Sequence, residues 1–365
     1  MKILENFSFR YIKPLILLLL AGLHAAVQGQ SQTRADKLLE MLVTEKKIVG
    51  VSAGYTIEGE MSWMGASGFA CRDKGSQFLP TTKTRIASIA KPMTATAVMQ
   101  LVEKGLIQLD SSIQMYLPDF PDKEKGDITV RQLLAHTSGI PQYQSTKEVE
   151  NTHFFASLQE AMQVFQDRPL LFQPGTDFFY TSYGYVILGR IIESVSGMSY
   201  AQYMKAAVWE PAGMLDTGIE ITGTGIPGKS CLYHRKKSKA KDAQQNDLSN
   251  RIPGGGFYST LHDVLKFGNA LLNGTLIRSG TLEKMIEIQH KEKEGNPYAL
   301  GWFLYGPPPN QDLVIGHSGE QTGCASQLMI IPKSKTVVAV LSNTSGTWKD
   351  IVSFSAELIR ISEEE

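Results

Sequence analysis

The sequence predicts an α+β fold: an antiparallel sheet built from both chain ends, flanked by helices and packed against a mostly helical lobe. Three observations lead to this prediction. Alternating apolar residues follow the N-terminal segment, two further β-rich runs lie near the C-terminus, and the stretch between them carries helical patterns. Strands at both termini with helices between them are typical of α+β architectures.

The strands at the two chain ends are predicted from period-two patterns. Val51, Ala53 and Tyr55 alternate along the first run, and a turn at Glu58-Gly59 leads into a second strand. Near the other end, the segment "CASQLMIIPKSKTVVAVLSN" holds two β-rich runs around a turn at residues 332–335. Helices are predicted outside these strands, over residues 35–44 and 348–361.

The middle of the chain is predicted to be mostly helical. Three helices are expected there: from about Thr129 to the Ser138-Gly139 turn, across Val186 to Val195 before Gly197, and from about Thr260 to Asn273-Gly274. Because these helices interrupt the two halves of the sheet, residues 30–365 are expected to form one domain of two interleaved lobes.

Composition limits the possible partners. The chain has 365 residues, of which 42% are hydrophobic, and its 36 basic residues balance 36 acidic ones. This length is enough for a sizeable core. Zero net charge gives no electrostatic reason to expect nucleic acid or an acidic membrane surface as a partner. We therefore expect a small-molecule or peptide substrate, and the oligomeric state stays open.

The N-terminus resembles an export signal. Basic residues precede the 14-residue apolar run "PLILLLLAGLHAAV", and small residues follow it up to Gly29. We expect residues 1–29 to be a signal peptide and the mature protein to be secreted or periplasmic. A run of this length spans a bilayer poorly, so a membrane anchor is expected only if the segment is not cleaved.

The three cysteines are too few for a disulfide framework. Cys71, Cys231 and Cys324 leave at least one thiol unpaired, and one bridge is allowed without being assignable. Cys231 and His234 have the spacing of two metal ligands, but no second pair completes a site. We expect neither a metal nor another cofactor.

A serine and a lysine at helical spacing form the first candidate for chemistry. In "TRIASIAKPMTATAVMQLVEKG", Ser88 and Lys91 lie at i and i+3 where a buried, Ala-rich helix begins, so their side chains can meet. A desolvated lysine can accept the serine proton. S-x-x-K is a weak motif on its own. The chain contains a second copy, Ser238–Lys241, in a charged segment without a buried helix. Only the first copy is a candidate.

Two later segments can complete such a site. Tyr180 and Ser182 lie just before a predicted helix, and a tyrosine beside a lysine can share a proton network. The alternative for Tyr180 is ordinary aromatic packing. His317, Ser318 and Gly319 come just before the C-terminal hairpin, where a glycine lets a substrate backbone approach closely. The alternative there is a strand entry with an incidental histidine.

Together "SIAK", "YTS" and "HSG" resemble the three motifs of the serine β-lactamase and penicillin-binding-protein superfamily. The branch that this chain resembles holds class C β-lactamases, D-specific peptidases, DD-carboxypeptidases and related esterases. The likeness also covers "LLAHTSGI" and "PGGGFYSTLHDVLKFGNALLNG" and runs from about residue 35 to 345.

The resemblance implies a role for each motif residue. Ser88 is the acyl-accepting nucleophile, and Lys91 with Tyr180 forms the base network; which of the two takes the first proton stays open. Ser182 contacts the substrate, and His317, Ser318 and Gly319 line the opposite wall. The N–H groups of Ser88 and Glu320 form the oxyanion hole.

Departures from the class C pattern limit the substrate. Ser182 replaces an asparagine, His317 replaces a lysine, and Glu320 replaces a small residue and is expected to add negative charge at the cleft wall. A histidine largely neutral near pH 7 binds an anionic carboxylate less reliably than a lysine does. These changes predict a peptidase, amidase or esterase with weak or no β-lactamase activity.

Two alternatives stay open at this stage, and a third is disfavoured. A true class C-type β-lactamase retains the same catalytic residues. A non-catalytic penicillin-binding sensor of cell-wall peptides would keep the fold without turnover. An α/β-hydrolase is disfavoured because the chain has no G-x-S-x-G elbow; "GASGF" and "GHSGE" lack its spacing.

Overall fold

The computed structural model describes residues 33–289, 297–305 and 312–364. The expected signal peptide lies outside the described residues. The strands are β1 (Gly50–Ile57), β2 (Glu60–Cys71), β3 (Ser76–Gln77), β4 (Thr84–Arg85), β5 (Gly218–Ile219), β6 (Tyr233–Lys236), β7 (Lys239–Asp242), β8 (Phe257–Ser259), β9 (Phe303–Tyr305), β10 (Val314–Gln321), β11 (Cys324–Ile331), β12 (Thr336–Ser342) and β13 (Thr344–Ser345).

The main sheet joins the two chain ends, as predicted. Seven antiparallel strands run in the order β3-β2-β1-β12-β11-β10-β9, so that N-terminal β1 and C-terminal β12 are direct neighbours. Two three-stranded sheets, β13-β6-β7 and β4-β8-β5, were not predicted. Their strands have only two to four residues each, too few to leave a period-two pattern in the sequence.

The helices account for most of the rest. They are α1 (33–44), α2 (Ala90–Glu103), α3 (Val130–Leu134), α4 (Thr146–Val149), α5 (Leu158–Met162), α6 (Tyr183–Ser196), α7 (Tyr200–Tyr203), α8 (Ile252–Gly255), α9 (Leu261–Leu272), α10 (Ser279–Met285) and α11 (Trp348–Glu363). Helices α1, α6, α9 and α11 confirm predictions to within a few residues. The predicted α+β class is therefore correct.

Helix α3 is shorter than predicted. It begins with the capping box of Thr129 and Gln132 but ends at Leu134, before the Ser138-Gly139 turn. His136 adopts a left-handed backbone, with φ of 59°, which ends the helix early. The side chain of His136 is thereby placed inside the helical lobe, where it is fully buried.

Both faces of the main sheet are covered. Val51, Ala53 and Tyr55 of β1 pack in one core with side chains of α1 and α11. On the other face α9 packs against β1 and β12. A Cβ added at Gly54 would lie 3.4 Å from the Leu265 side chain. A second and larger core fills the helical lobe around α2 and α6. The candidate site lies where α2 meets the edge of this sheet.

Two of the three cysteines form a disulfide, and the third is a free thiol. Cys71, at the end of β2, forms a disulfide with Cys231, and Cys324 is free and buried. Within the described ranges, no helix has the length and apolar character needed to cross a bilayer.

Candidate active site

Ser88 lies in a 3₁₀ turn, Ala87–Ile89, that runs directly into α2. Pro92 is the third residue of α2, within the first turn, where its missing N–H removes no helical hydrogen bond. Ala87 has a left-handed backbone, with φ of 47°, an unfavourable conformation for a residue with a side chain. Ser88 is therefore presented, half-exposed, at the point where free helical N–H groups favour negative charge.

Lys91 is fully buried and its amine touches three neutral oxygens. Its Nζ lies 3.0 Å from Ser88 Oγ, 3.1 Å from Ser182 Oγ and 2.7 Å from the Gly254 carbonyl. Burial, assisted by the positive charge of Arg251, holds the pKa of Lys91 well below its ordinary value. A neutral amine can donate to the Ser182 hydroxyl and the Gly254 carbonyl and keep its lone pair for the Ser88 proton.

Ser182 is held by a residue that the sequence analysis missed. It is the N-cap residue of α6, its backbone N–H donates to Gln142 Oε1 at 3.0 Å, and Gln142 Nε2 lies 3.4 Å from its hydroxyl. Gln142 follows the "HTSGI" segment, which we interpreted only as a helix end and turn. Nothing in the sequence marked the Gly254 carbonyl as an acceptor.

Tyr180 is half-buried and joins the same cluster. Its hydroxyl is hydrogen-bonded with Ser88 and lies 3.4 Å from His317 Nε2. The Lys91 amine sits 4.7 Å from the centre of its ring. Burial raises the pKa of Tyr180 well above its ordinary value, although the Ser88 hydrogen bond opposes this shift. This shift favours the protonated phenol of Tyr180, which can donate a hydrogen bond.

His317 is buried and neutral. Its Nδ1–H donates to the Ser318 carbonyl at 2.6 Å, so Nε2 is free to accept from the Tyr298 hydroxyl at 3.2 Å. Burial, reinforced by the nearby Lys91 charge, lowers the pKa of His317 to about 3. Tyr298 was also missed by the sequence analysis, because it lies 19 residues upstream in a segment without a motif.

The backbone of β10 borders the nucleophile. β9 pairs only with Val314–Gly316, so the following edge of β10 has no strand partner among the described residues. Leu304 N–H donates to Pro297 and not to β10, which places the ladder bonds on Val314 and Gly316. Antiparallel alternation then directs the N–H groups of Ser318 and Glu320 to the same unpaired edge.

Gly319 permits this close approach. A Cβ added at Gly319 would lie 2.5 Å from Ser326 Oγ, 2.6 Å from the Ile86 carbonyl and 3.0 Å from the Ala87 Cβ. Real Cβ contacts are almost never that short, so only glycine lets β10 pack on the turn that carries Ser88. The predicted glycine position is thus in contact with the residue before the nucleophile.

The Glu320 side chain points elsewhere. Its carboxylate accepts a hydrogen bond from Gly346 N–H at 2.6 Å, just before α11. Glu320 pairs with Ala325, which faces the core beneath α11, whereas Gly319 faces Ser88. The negative charge expected at the cleft wall is therefore directed to the opposite face of the sheet. Only the Glu320 backbone borders the site.

His136 supports the aromatic side of the cluster. Its Nδ1 accepts the Thr181 N–H at 3.2 Å, and its ring lies 4.3 Å from the Tyr180 ring and 4.8 Å from the Tyr298 ring. Its Nε2 has no hydrogen-bond partner among the described residues. These contacts indicate a packing role for His136.

The second S-x-x-K copy is remote from this cluster. Ser238 and Lys241 are exposed on the hairpin of β6 and β7. Within the described ranges, no group of three or more His, Cys, Asp or Glu side chains is placed to hold a metal ion. Ser88, Lys91, Tyr180, Ser182 and His317 thus form one cluster, bordered by the backbone of Ser318, Gly319 and Glu320.

The chain is similar in sequence to two named relatives. The chain is 27% identical over 391 residues to human "Serine beta-lactamase-like protein LACTB, mitochondrial", covering 81% of this chain and 71% of the relative. It is 28% identical over 274 residues to "Penicillin-binding protein 4*" of Bacillus subtilis, covering 71% of this chain and 60% of the relative.

Solved structures agree on the fold. The octameric penicillin-binding protein homologue from Pyrococcus abyssi superimposes with a TM-score of 0.79 at 25% identity, covering 90% of this chain and 77% of that one. The D-amino acid amidase from Ochrobactrum anthropi, in complex with D-phenylalanine, superimposes with a TM-score of 0.76 at 23% identity, covering 93% and 99%. At that identity the amidase supports the fold alone.

The family model "Beta-lactamase" matches residues 35–355, nearly all of the described chain. This match, the named relatives and the penicillin-binding-protein fold agree with the resemblance carried by the three motifs. The chain belongs to the beta-lactamase family of serine hydrolases, within the superfamily that also holds the penicillin-binding proteins.

Proposed function

We propose that the protein is an exported serine hydrolase that forms an acyl-enzyme on Ser88 and cleaves ester, amide or peptide bonds, with weak or no activity on β-lactams. The observation that carries this proposal is the environment of Lys91. A fully buried lysine that contacts the Ser88 hydroxyl and only neutral oxygens is suited to be a general base.

In the acylation step, Lys91 takes the Ser88 proton while Oγ bonds to the substrate acyl carbon. The carbonyl oxygen becomes an oxyanion that accepts from the N–H groups of Ser88 and Glu320. Tyr180, kept protonated by burial, is a donor and not the first base. The proton on Lys91 then passes to the leaving group, directly or through Tyr180 or Ser182, as the bond to the leaving group breaks.

In the deacylation step, a water molecule replaces the leaving group. Lys91, neutral again, takes a proton from this water, whose oxygen attacks the acyl carbon of the ester on Ser88. The acid product leaves when Ser88 Oγ regains a proton from Lys91. The same base and the same pair of N–H donors therefore serve both halves of the reaction.

The preference against β-lactams follows from the cleft wall. β-Lactams carry a carboxylate, and His317 stands neutral at the position where the K-T-G motif has a lysine. Arg251, the cation that acts on Lys91, is buried, and its guanidinium donates to the backbone carbonyls of Glu148 and Val149. The amidase fold of the Ochrobactrum protein is consistent with amide cleavage on this scaffold.

The nucleophile can be tested with a fluorescent fluorophosphonate. We expect the wild-type protein to be labelled and Ser88→Ala to lose labelling. Ser238→Ala is the matched control, because it removes the serine of the exposed S-x-x-K copy and should label normally. Labelling of Ser88→Ala at the wild-type rate would remove Ser88 from the mechanism.

The substrate class can be tested with a panel of p-nitrophenyl acetate and butyrate, D-alanyl peptides and nitrocefin. We expect turnover of esters or amides to exceed turnover of nitrocefin. Efficient nitrocefin hydrolysis would instead favour a true class C-type β-lactamase. Labelling of Ser88 without turnover of any member would favour a penicillin-binding sensor.

Export is supported by the Cys71–Cys231 disulfide in addition to the N-terminal pattern, because disulfides persist in oxidising compartments. Expression of the full chain in a Gram-negative host, followed by N-terminal sequencing of the mature protein, tests this part. We expect recovery outside the cytoplasm with a new N-terminus near residue 30. Retention of residues 1–29 in the membrane fraction would indicate an anchor.

A further inference from the structure

Strand β10 orders the groups of the site along one line. Tyr180 meets the strand at His317, and the turn that carries Ser88 packs on Gly319. Gln321, the last residue of β10, lies two positions beyond Gly319 and four beyond His317. At ~3.4 Å per residue along a strand, Gln321 lies about 14 Å from His317, which marks the end of this line where Tyr180 also lies.

This order places the leaving group and the acyl group of a bound substrate on opposite sides of Ser88. The leaving group must take up a proton, so it lies toward Tyr180 and His317. With the carbonyl oxygen in the oxyanion hole beside Ser88, the acyl group extends the other way along β10. The acyl group therefore points toward Gln321.

Gln321 lies at that end of the site, in contact with Gly255. Its side chain is half-buried, and its Nε2 donates to the Gly255 carbonyl at 2.9 Å, which links the sheet to the helical lobe. A Cβ added at Gly255 would lie 3.6 Å from Gln321 Oε1 and 3.8 Å from the backbone of Ala87. Gly319, Ala87, Gly255 and Gln321 thus form one continuous wall next to Ser88.

We propose that Gln321 determines acyl-group specificity: its side chain, held across the cleft to Gly255, restricts the enzyme to short acyl groups. The proposal rests on the acyl-enzyme function of Ser88 and deepens it. Neighbouring glycines provide no side chain that could replace Gln321 as the barrier. Removing the Gln321 side chain should open a channel past Gly255 in which an alkyl chain can lie.

The test compares two esters that share a leaving group. For wild type, p-nitrophenyl acetate and butyrate should be preferred to the octanoate. In Gln321→Ala, the ratio of kcat/KM for octanoate to that for acetate should rise by at least about tenfold, the selectivity typical of a pocket that accepts or rejects methylenes. Gln321→Asn, whose amide is too short to reach Gly255, should change the ratio in the same direction and guards against misfolding of the Ala variant.

Gln321→Met is the matched control. Methionine is close to glutamine in length and volume but cannot donate to the Gly255 carbonyl, so the barrier should persist and the ratio should stay near the wild-type value. A purely structural role for Gln321 would lower the rates with both esters alike and leave the ratio unchanged. An unchanged ratio in both folded Ala and Asn variants would overturn the proposal.

Failure of the underlying function gives a different result. If wild type neither hydrolyses these esters nor is labelled at Ser88 by a fluorophosphonate, both proposals are wrong. If Ser88 is labelled without ester turnover, the labelling rates of fluorophosphonates with short and long alkyl groups replace the ester ratio. Equal effects of Gln321→Ala on both labelling rates would then contradict the role of Gln321 alone.

Discussion

Two buried clusters contain a lysine, and they differ in whether a carboxylate accompanies it. Lys91 contacts only neutral oxygens. Lys229 is not a comparable base, because its Nζ lies 2.6 Å from the carboxylate of Glu220, which also binds Arg85 at 2.7 Å. The Lys229 side chain is 13% exposed, and the Glu220 side chain is 1% exposed.

The difference between the clusters changes what each lysine can do. Burial lowers the pKa of Lys229, but the Glu220 carboxylate opposes that shift. Burial alone would raise the pKa of Glu220, yet Arg85 and Lys229 hold it below its ordinary value, so the carboxylate stays charged. The Glu220 cluster is thus a structural ion network, whereas Lys91, without a carboxylate, is left as a base.

The largest expected effect is the loss of activity in Lys91→Ala. Without the amine, no group takes the Ser88 proton, and kcat/KM should fall by about a thousandfold. Lys229→Ala is the matched control, because it removes the half-buried lysine of the Glu220 cluster and should leave kcat/KM of the folded protein within a few-fold of wild type. A mild effect of Lys91→Ala would point to Tyr180 as the main base.

The next effect is on stability, in Glu220→Gln. This change leaves Arg85 and Lys229 buried without a counter-charge and should lower the free energy of unfolding by about 3–5 kcal/mol. Denaturant unfolding monitored by circular dichroism measures it. A loss below 1 kcal/mol would mean that the network does not stabilise the fold.

A smaller effect of opposite sign is expected for Lys91→Met. Removing a buried amine that has no carboxylate partner should raise the free energy of unfolding by about 1 kcal/mol near pH 7. Because the pKa of Lys91 is lower in the folded state, its protonation favours unfolding. The advantage of Lys91→Met should therefore shrink as the pH rises toward 10.5, the ordinary pKa of lysine. A destabilised Met variant at every pH would contradict this assignment.

The smallest expected effect concerns His317. The acid limb of kcat/KM should follow Lys91, so activity falls as the pH drops through the lowered pKa of that amine. His317, with a pKa of about 3, is already neutral across that range. His317→Asn should therefore lower the rate without moving the midpoint of the limb, and a displaced midpoint would show that His317 titrates there.

Much of the fold was predictable because its long elements leave strong patterns. The hairpins of β1 with β2 and β11 with β12 combine apolar runs with turn residues, and α6 ends at Gly197, whose φ is 70°. The short strands of the two small sheets carry no such pattern. Helix α3 ends earlier than predicted because His136 adopts a left-handed backbone. A histidine in the sequence does not predict that conformation.

The site was predictable only where a motif marks it. Ser88, Lys91 and Tyr180 were found through their spacing and order along the chain. Gln142 and Tyr298 act through contacts that depend on the folded backbone, so no local signal identified them. The direction of the Glu320 carboxylate likewise depends on the register of β10 with β11.

The charge state of Lys91 is the most direct test of this mechanism. Lysines labelled with ¹³C at Cε report protonation through their chemical shift, and Lys91→Met identifies the resonance of Lys91 by its disappearance. We predict a neutral-amine shift at pH 8, with a transition well below that of the exposed lysines. A Lys91 resonance that remains that of an ammonium up to pH 10 would contradict its role as the base for Ser88.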